Sequence, residues 1–301
     1  MTVLADNQWA IGEPGPDEVV MGAGTNIRVG DFLPDGTGDI TAGDVLLPGE
    51  DGTTFGRDFY AGQTMALELT IRDLDDPAAA RTSWRRLVGA WNAAAVRATP
   101  GAVMPLRMKL PGSEGVRVYG RPRKYTPVST VLADKGVIPL NLEFQAADAA
   151  WYSETEQTLT LSLLPLLADG GLSFPLSFPL NFAASSVSDE TRRAVNLGDL
   201  PAPVVVEFDG PLASPSIELL GTGLVPGLAT QIGEYTATID ARPWVRSVTV
   251  TGGGSVAGAL TGPRLALLQL PPGSTGIAFR GVDFTGAARA RLRWRHAYST
   301  P

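Results

Sequence analysis

The chain has 301 residues, about twice the length of a usual domain, and carries 24 basic against 31 acidic side chains for a net charge of −7. It has no cysteine and a single histidine, which excludes disulfides, zinc–thiolate centres and thiol nucleophiles, and leaves His296 as the sole candidate for any Ser–His relay. No Lys/Arg block offers electrostatic capture of nucleic acid, and no apolar run is long enough to cross a membrane, so no membrane insertion is expected.

In chain order, the opening MTVLADNQWAIGEPGP lacks a basic start and an apolar run, so no secretory signal is expected and folding in a cytoplasm is. Residues 1–60 hold 11 acids against Arg28 and Arg57. The stretch 30–62 is Gly-rich and little patterned, a loop of the kind that often orders on assembly. It contains Asp31, Asp35, Asp39, Asp44, Glu50 and Asp51. Oxygen ligands among glycines can hold calcium, but this spacing matches no EF-hand or nonapeptide repeat, which leaves a solvated loop or hairpin as the plainer reading. TMALELTIRD then alternates, with Met65, Leu67, Leu69 and Ile71 on one face and Glu68, Thr70 and Arg72 on the other, as a half-buried antiparallel strand does.

The period changes at residues 74–98. Trp84, Leu87, Val88, Trp91 and Ala95 recur at helical spacing. Asp76 suits the N-cap, Pro77 the first helical position, and Thr99-Pro100-Gly101 the stop, so one helix over about 77–98 is predicted to lay an apolar stripe on a sheet. Alternation returns in VIPLNLEFQ, with Ile138, Leu140, Leu142 and Phe144 on one side, and in TLTLSLL. Between them, Asp148, Glu154 and Glu156 lie beside Trp151 and Tyr152. Acids next to aromatics suit either a glycosidase, which needs two carboxyls at a fixed separation, or the end of a domain.

The segment 166–198 is a Phe/Pro-rich connector, with Phe174, Phe178 and Phe182 four apart and Pro175 and Pro179 forbidding a regular helix. Beyond 199, seven or so short strands separated by turn residues predict a β-sandwich. The last of them sets Ala288, Ala290, Leu292 and Trp294 against Arg289, Arg291, Arg293 and Arg295. The arginines suit an acidic partner or glycan, or a solvated edge strand that discourages aggregation. Trp244, Trp294 and Tyr235 are candidates for stacking on sugars, though Trp294, alternating with arginines, reads as core. His296 follows the same core-facing register and reads as structural. No nucleophile elbow, phosphate-binding loop, dinucleotide fingerprint or H-E-x-x-H motif is present.

LPGEDGTTFGRDFYAGQTMALELTIRD (47–73) resembles the start of the belt domain in distal tail proteins of long-tailed, siphovirus-type phages, the minor tail proteins of actinobacteriophages above all. Its turn positions are Asp51, Gly52, Gly56, Asp58 and Gly62. The likeness continues through GRPRKY (120–125), LEFQAADAAWYSETEQTLTL (142–161) and SFPLSFPLNF, and LRWRHAY (292–298) is similar to the end of the galectin-like or carbohydrate-module-like sandwich that follows the ring.

The resemblance implies a mainly β protein: a β-sandwich-like belt domain with one α-helix over 1–165, the connector over 166–198, and a C-terminal β-sandwich over 199–301. It implies a structural virion protein at the tail tip, assembled in the host cytoplasm as a homo-hexameric ring. The implied partners are the major tail tube protein, the tape measure protein, the tip hub or tail-associated proteins and the receptor-binding proteins. Viral DNA would pass without specific binding, and the acids of 1–60 would suit such a lumen. It carries no catalytic residue, cofactor or metal. The turn positions 51–62 are the implied assembly loop, and Trp84, Leu87, Val88, Trp91 and Trp294 the expected core. The rival readings are a glycan-binding host-recognition module carried by the C-terminal sandwich, and a glycosidase using Glu154 or Glu156.

Overall fold

The computed structural model describes residues 3–34, 39–163, 192–283 and 288–301. The architecture is mainly β and divides into two compact units, residues 1–155 with 297–301, and residues 156–296. These bounds differ from the expected 1–165 and 199–301 for a pairing reason. Gln157–Ser162 hydrogen-bonds along Arg289–Trp294, which places it in the second unit, and Ala297–Tyr298 pairs with Trp151–Ser153, which returns the C-terminus to the first. The repeat around Phe174, Phe178 and Phe182, and Asp35, lie outside the described residues.

The first unit is built on a nine-stranded antiparallel sheet whose main path runs Val19–Gly22, Gln8–Ile11, Met104–Lys109, Val116–Pro127, Val137–Ala146, Thr64–Arg72, Ile27–Pro34. Its two edge strands are consecutive in the chain and joined by residues 23–26, so the sheet curls until its ends approach. The predicted alternation is realised as an apolar ladder: Ile138 faces Ile71, Leu140 faces Leu69, Leu142 faces Leu67 and Phe144 faces Met65, all buried. A one-residue slip would turn every one of them to the other face, so burial holds the register.

The helix occupies Pro77–Asn92, where the Asp76 side chain accepts from the amides of Ala78 and Ala79. One helix to 98 was predicted. Instead Ala93 adopts a left-handed conformation (φ 41°) and a separate turn, Ala94–Ala98, follows, with Ala95 exposed. Leu87 and Trp91 are buried against the sheet, where the Trp91 ring lies 6.2 Å from Phe144 and its Nε1 donates to the Lys124 carbonyl. Trp84 and Val88 are only half-buried, on the flank of the stripe.

The second unit is a β-sandwich. One sheet runs Gln157–Ser162, Arg289–Trp294, Ala202–Asp209, Thr236–Asp240, Ser247–Val250; the other runs Arg193–Asn196, Gly273–Asp283, Leu212–Leu219, Gly227–Leu228, Leu260–Thr261. Phe208 and Phe279 stack across the two layers at 5.9 Å, and buried Trp294 donates from Nε1 to the Val195 carbonyl of the opposite sheet. The apolar stretch PRLALLQL (263–270) forms no long strand: a 3-10 turn, Leu265–Leu267, precedes a two-residue pairing at Gln269–Leu270.

Candidate assembly surfaces

The acids that suggested a sugar-cleaving site are committed to the fold. Arg107 and Arg117 stand directly opposite each other on adjacent strands, an arrangement that repels unless a carboxylate bridges it. Glu154 is that bridge: its Oε1 accepts from Arg107 Nε and Arg117 Nη2 at 2.7 Å each, and its Oε2 from Arg117 Nε at 2.9 Å. Glu18 caps Arg107, and Glu13 accepts from Arg117 Nη1 at 2.9 Å. Burial alone would push the Arg117 guanidinium down; its hydrogen bond to Glu154 and the charges of Tyr119, Glu154 and Glu13 outweigh that and hold it above its ordinary value. Two buried cations with their acids in hydrogen-bond contact are a structural clamp.

Asp148 lies apart from this clamp and accepts from Tyr152 OH at 2.5 Å and from the Ala150 amide. Burial raises its carboxyl to about 6, against the two hydrogen bonds, which favour the anion. Burial, and then the Asp148 charge and hydrogen bond, also raise the Tyr152 phenol. Glu156 belongs to the second unit, where Arg293 donates to it at 3.3 Å. The three acids therefore serve three different local partners.

The alternating arginines of Arg289–Trp294 are not on an edge, because that strand runs between Gln157–Ser162 and Ala202–Asp209. Glu207 sits opposite Arg291 and accepts from it at 2.7 Å and from Arg293 at 2.6 Å. These cations are matched across the strands rather than offered to a partner. His296 is buried, and its Nδ1 accepts from the Leu197 amide. Trp294 is buried and closed to a sugar ring.

Two surfaces of the first unit carry exposed side chains that lack partners among the described residues. The first is residues 39–62, which form a ribbon more regular than the expected loop. Ile40–Thr41 pairs with Phe59–Tyr60, Val45–Leu46 pairs with Thr53–Thr54, and the turn lies at 47–52. The candidate turn positions acquire separate roles here. Gly52 takes φ 132° in the turn. A Cβ at Gly56 would stand 2.0 Å from the Gly43 carbonyl oxygen, and one at Gly62 would stand 2.0 Å from that of Ala146, so both must be glycine for the chains to approach. Asp51 and Asp58 are exposed. Along the ribbon, Val45, Leu46, Phe59 and Tyr60 are exposed, and Phe55 reaches 83%.

The second surface is a groove of about 690 Å³ along the helix, flanked by Arg81, Arg85 and Arg123 and lined by Trp84 and Tyr125. No acidic side chain lines it. Sequence reasoning missed both the clamp and this groove. The clamp's signal was an arginine amid apolar neighbours in each of two strands; the groove had none, because its residues come from a helix and a strand.

Among the described residues no cluster of His, Asp or Glu could hold a metal ion, and no helix is long and apolar enough to cross a membrane. No protein-family model and no curated protein matches the sequence. Solved structures do match in fold. The Dit (gp 19.1) protein of phage SPP1, described as a paradigm of hub adsorption apparatus in phages infecting Gram-positive hosts, aligns at a TM-score of 0.54 and 11% identity, over 90% of this chain and 93% of that one. A chain of the phage P2 baseplate in its activated conformation with Ca aligns at 0.51 and 12% identity over 95% and 97%, and one from that baseplate with Sr aligns at 0.50. The chain thus shares, over 90–95% of its length, the fold of these phage hub and baseplate chains.

Proposed function

We propose that this chain is a structural subunit of a phage tail tip, a distal-tail-type protein that closes a homo-hexameric ring between the tail tube and the tip complex. The observation that carries this reading is the full-length fold match to hub and baseplate proteins, which spans both units rather than one common module. The surface agrees with it: Glu154 and Glu156 are spent on ion pairs and Asp148 on hydrogen bonds to Tyr152 and Ala150, while an exposed ribbon and a groove are left open, which suit protein contacts. Viral DNA passes through the ring without specific contact. The acids available to such a lumen are fewer than residues 1–60 suggest, since Glu13 and Glu18 are tied to Arg117 and Arg107, and Asp6 lies 3.2 Å from Lys109.

Mass photometry of the purified protein, alone and with the tail tube protein of the same phage, tests the proposal. Six-fold particles, or capping of tube ends, are expected. A monomer that joins neither its own copies nor the tube overturns it.

A further inference from the structure

The ribbon and the groove are complementary, and we infer that the ribbon tip of one copy docks in the helix groove of the next; this rests on the ring reading above. On the groove side, Arg81, Arg85 and Arg123 make no ion pair or hydrogen bond among the described residues, in contrast to Arg86, which donates to the carbonyls of Pro16 and Glu18. The indole Nε1 of Trp84 is buried and also makes no hydrogen bond there. A buried donor without an acceptor is costly and rare in a finished fold. The groove therefore offers cations, an indole donor and the Tyr125 ring, and calls for a carboxylate-bearing segment with an apolar anchor.

The ribbon has that composition. Between residues 39 and 62 it carries Asp39, Asp44, Glu50, Asp51 and Asp58, against Arg57 alone. Glu50 and Asp51 lie in the turn, and Phe55 and Leu46 stand 83% and 76% exposed. Since those side chains are bare, the ribbon does not fill the groove of its own chain. Residues 39–47 at about 3.3 Å each reach about 30 Å, enough to lay the tip on an adjacent subunit. The committed pairing sets Phe55 against Trp84 and Tyr125, with Glu50 and Asp51 toward Arg81, Arg85 and Arg123. Such a contact joins different patches on successive copies, so it propagates around a ring until it closes. Opposed charge steers the approach and selects the register, and the apolar anchor slows release.

The absence of cysteine makes the test direct. Phe55→Cys and Gly89→Cys are prepared as separate proteins; a Cβ at exposed Gly89, on the groove wall, meets nothing within 4 Å. Mixed under mild oxidation, the two are expected to give a disulfide-linked dimer containing one of each, at least tenfold above either protein alone. In parallel, Arg81→Glu with Arg85→Glu is expected to lower ring formation at least tenfold with an unchanged thermal melt, and Glu50→Arg with Asp51→Arg added in the same chain is expected to restore it. Rings that form normally with the reversed groove, or without the mixed crosslink, overturn the docking while leaving the ring reading intact. A crosslink formed only within a doubly substituted monomer shows the ribbon closing on its own chain and also overturns it. Groove reversal that leaves the ring whole and abolishes tube binding overturns it in favour of a different protein as occupant. If the unmodified chain forms no ring, both readings fall together.

Discussion

Two sets of arginines in the first unit stand in opposite situations. Arg107 and Arg117 are buried on the sheet and saturated by Glu13, Glu18 and Glu154. Arg81, Arg85 and Arg123 are exposed beside the helix and lack any carboxylate partner among the described residues. The contrast teaches where to look for partners. A desolvated guanidinium must be matched within the fold, because an unpaired buried charge costs several kcal/mol, whereas an exposed one bears no such cost and can await a neighbour. The second unit supplies a third case: Arg291 and Arg293 are partly exposed yet matched by Glu207, which leaves that face balanced.

The strongest way to break the contrast is to remove the bridge. Glu154→Ala leaves Arg107 and Arg117 opposed with one shared carboxylate gone, and is expected to destabilise the first unit by about 3–5 kcal/mol in urea unfolding. A loss under about 0.5 kcal/mol would place the clamp outside the stabilising core. Trp91→Ala, which opens both the core and the groove floor, is expected to cost a similar 3–5 kcal/mol or so. Asp148 sharpens the picture by a different route. Its folded pKa of about 6 stands above the ordinary 3.8, so the folded protein holds the proton more tightly. That contribution to stability is present below about pH 4 and is lost as pH rises through about 6. Asp148→Asn should therefore gain relative to the parent on going from pH 4 to pH 7.5, by on the order of 1–3 kcal/mol, read as a flattened dependence of Tm on pH. Glu207→Ala, which strips two partly exposed arginines of their partner, is expected to cost about 1–3 kcal/mol. Smallest of all, Arg81→Ala with Arg85→Ala should change the stability of the isolated chain by less than about 0.5 kcal/mol. A large loss there would mean that the groove arginines serve the fold after all.

Much of the frame was legible along the chain. Met65, Leu67, Leu69 and Ile71 face inward as their spacing predicts, and Asp76 caps the helix it precedes. Both signals are local: strand alternation and cap chemistry act within a few residues. The break at Ala93 was not legible, since alanine is a strong helix former and residues other than glycine rarely take the left-handed backbone it adopts. Nor was the central place of Arg289–Trp294, because an edge and an interior strand can share one alternating pattern.

By itself, the amino-acid order determined the long alternating strands, the start of the helix, the absence of thiol chemistry and a polypeptide of mainly β class. The tertiary structure alone decided which charges are satisfied. Arg107 and Glu154 are 47 residues apart, Arg291 and Glu207 84, and the ribbon and groove are recognisable only by what fails to cover them. Backbone pattern is a near-neighbour property that sequence writes directly, whereas charge pairing depends on which distant segments the sheet brings within a few ångströms, and that is settled when the whole chain has packed.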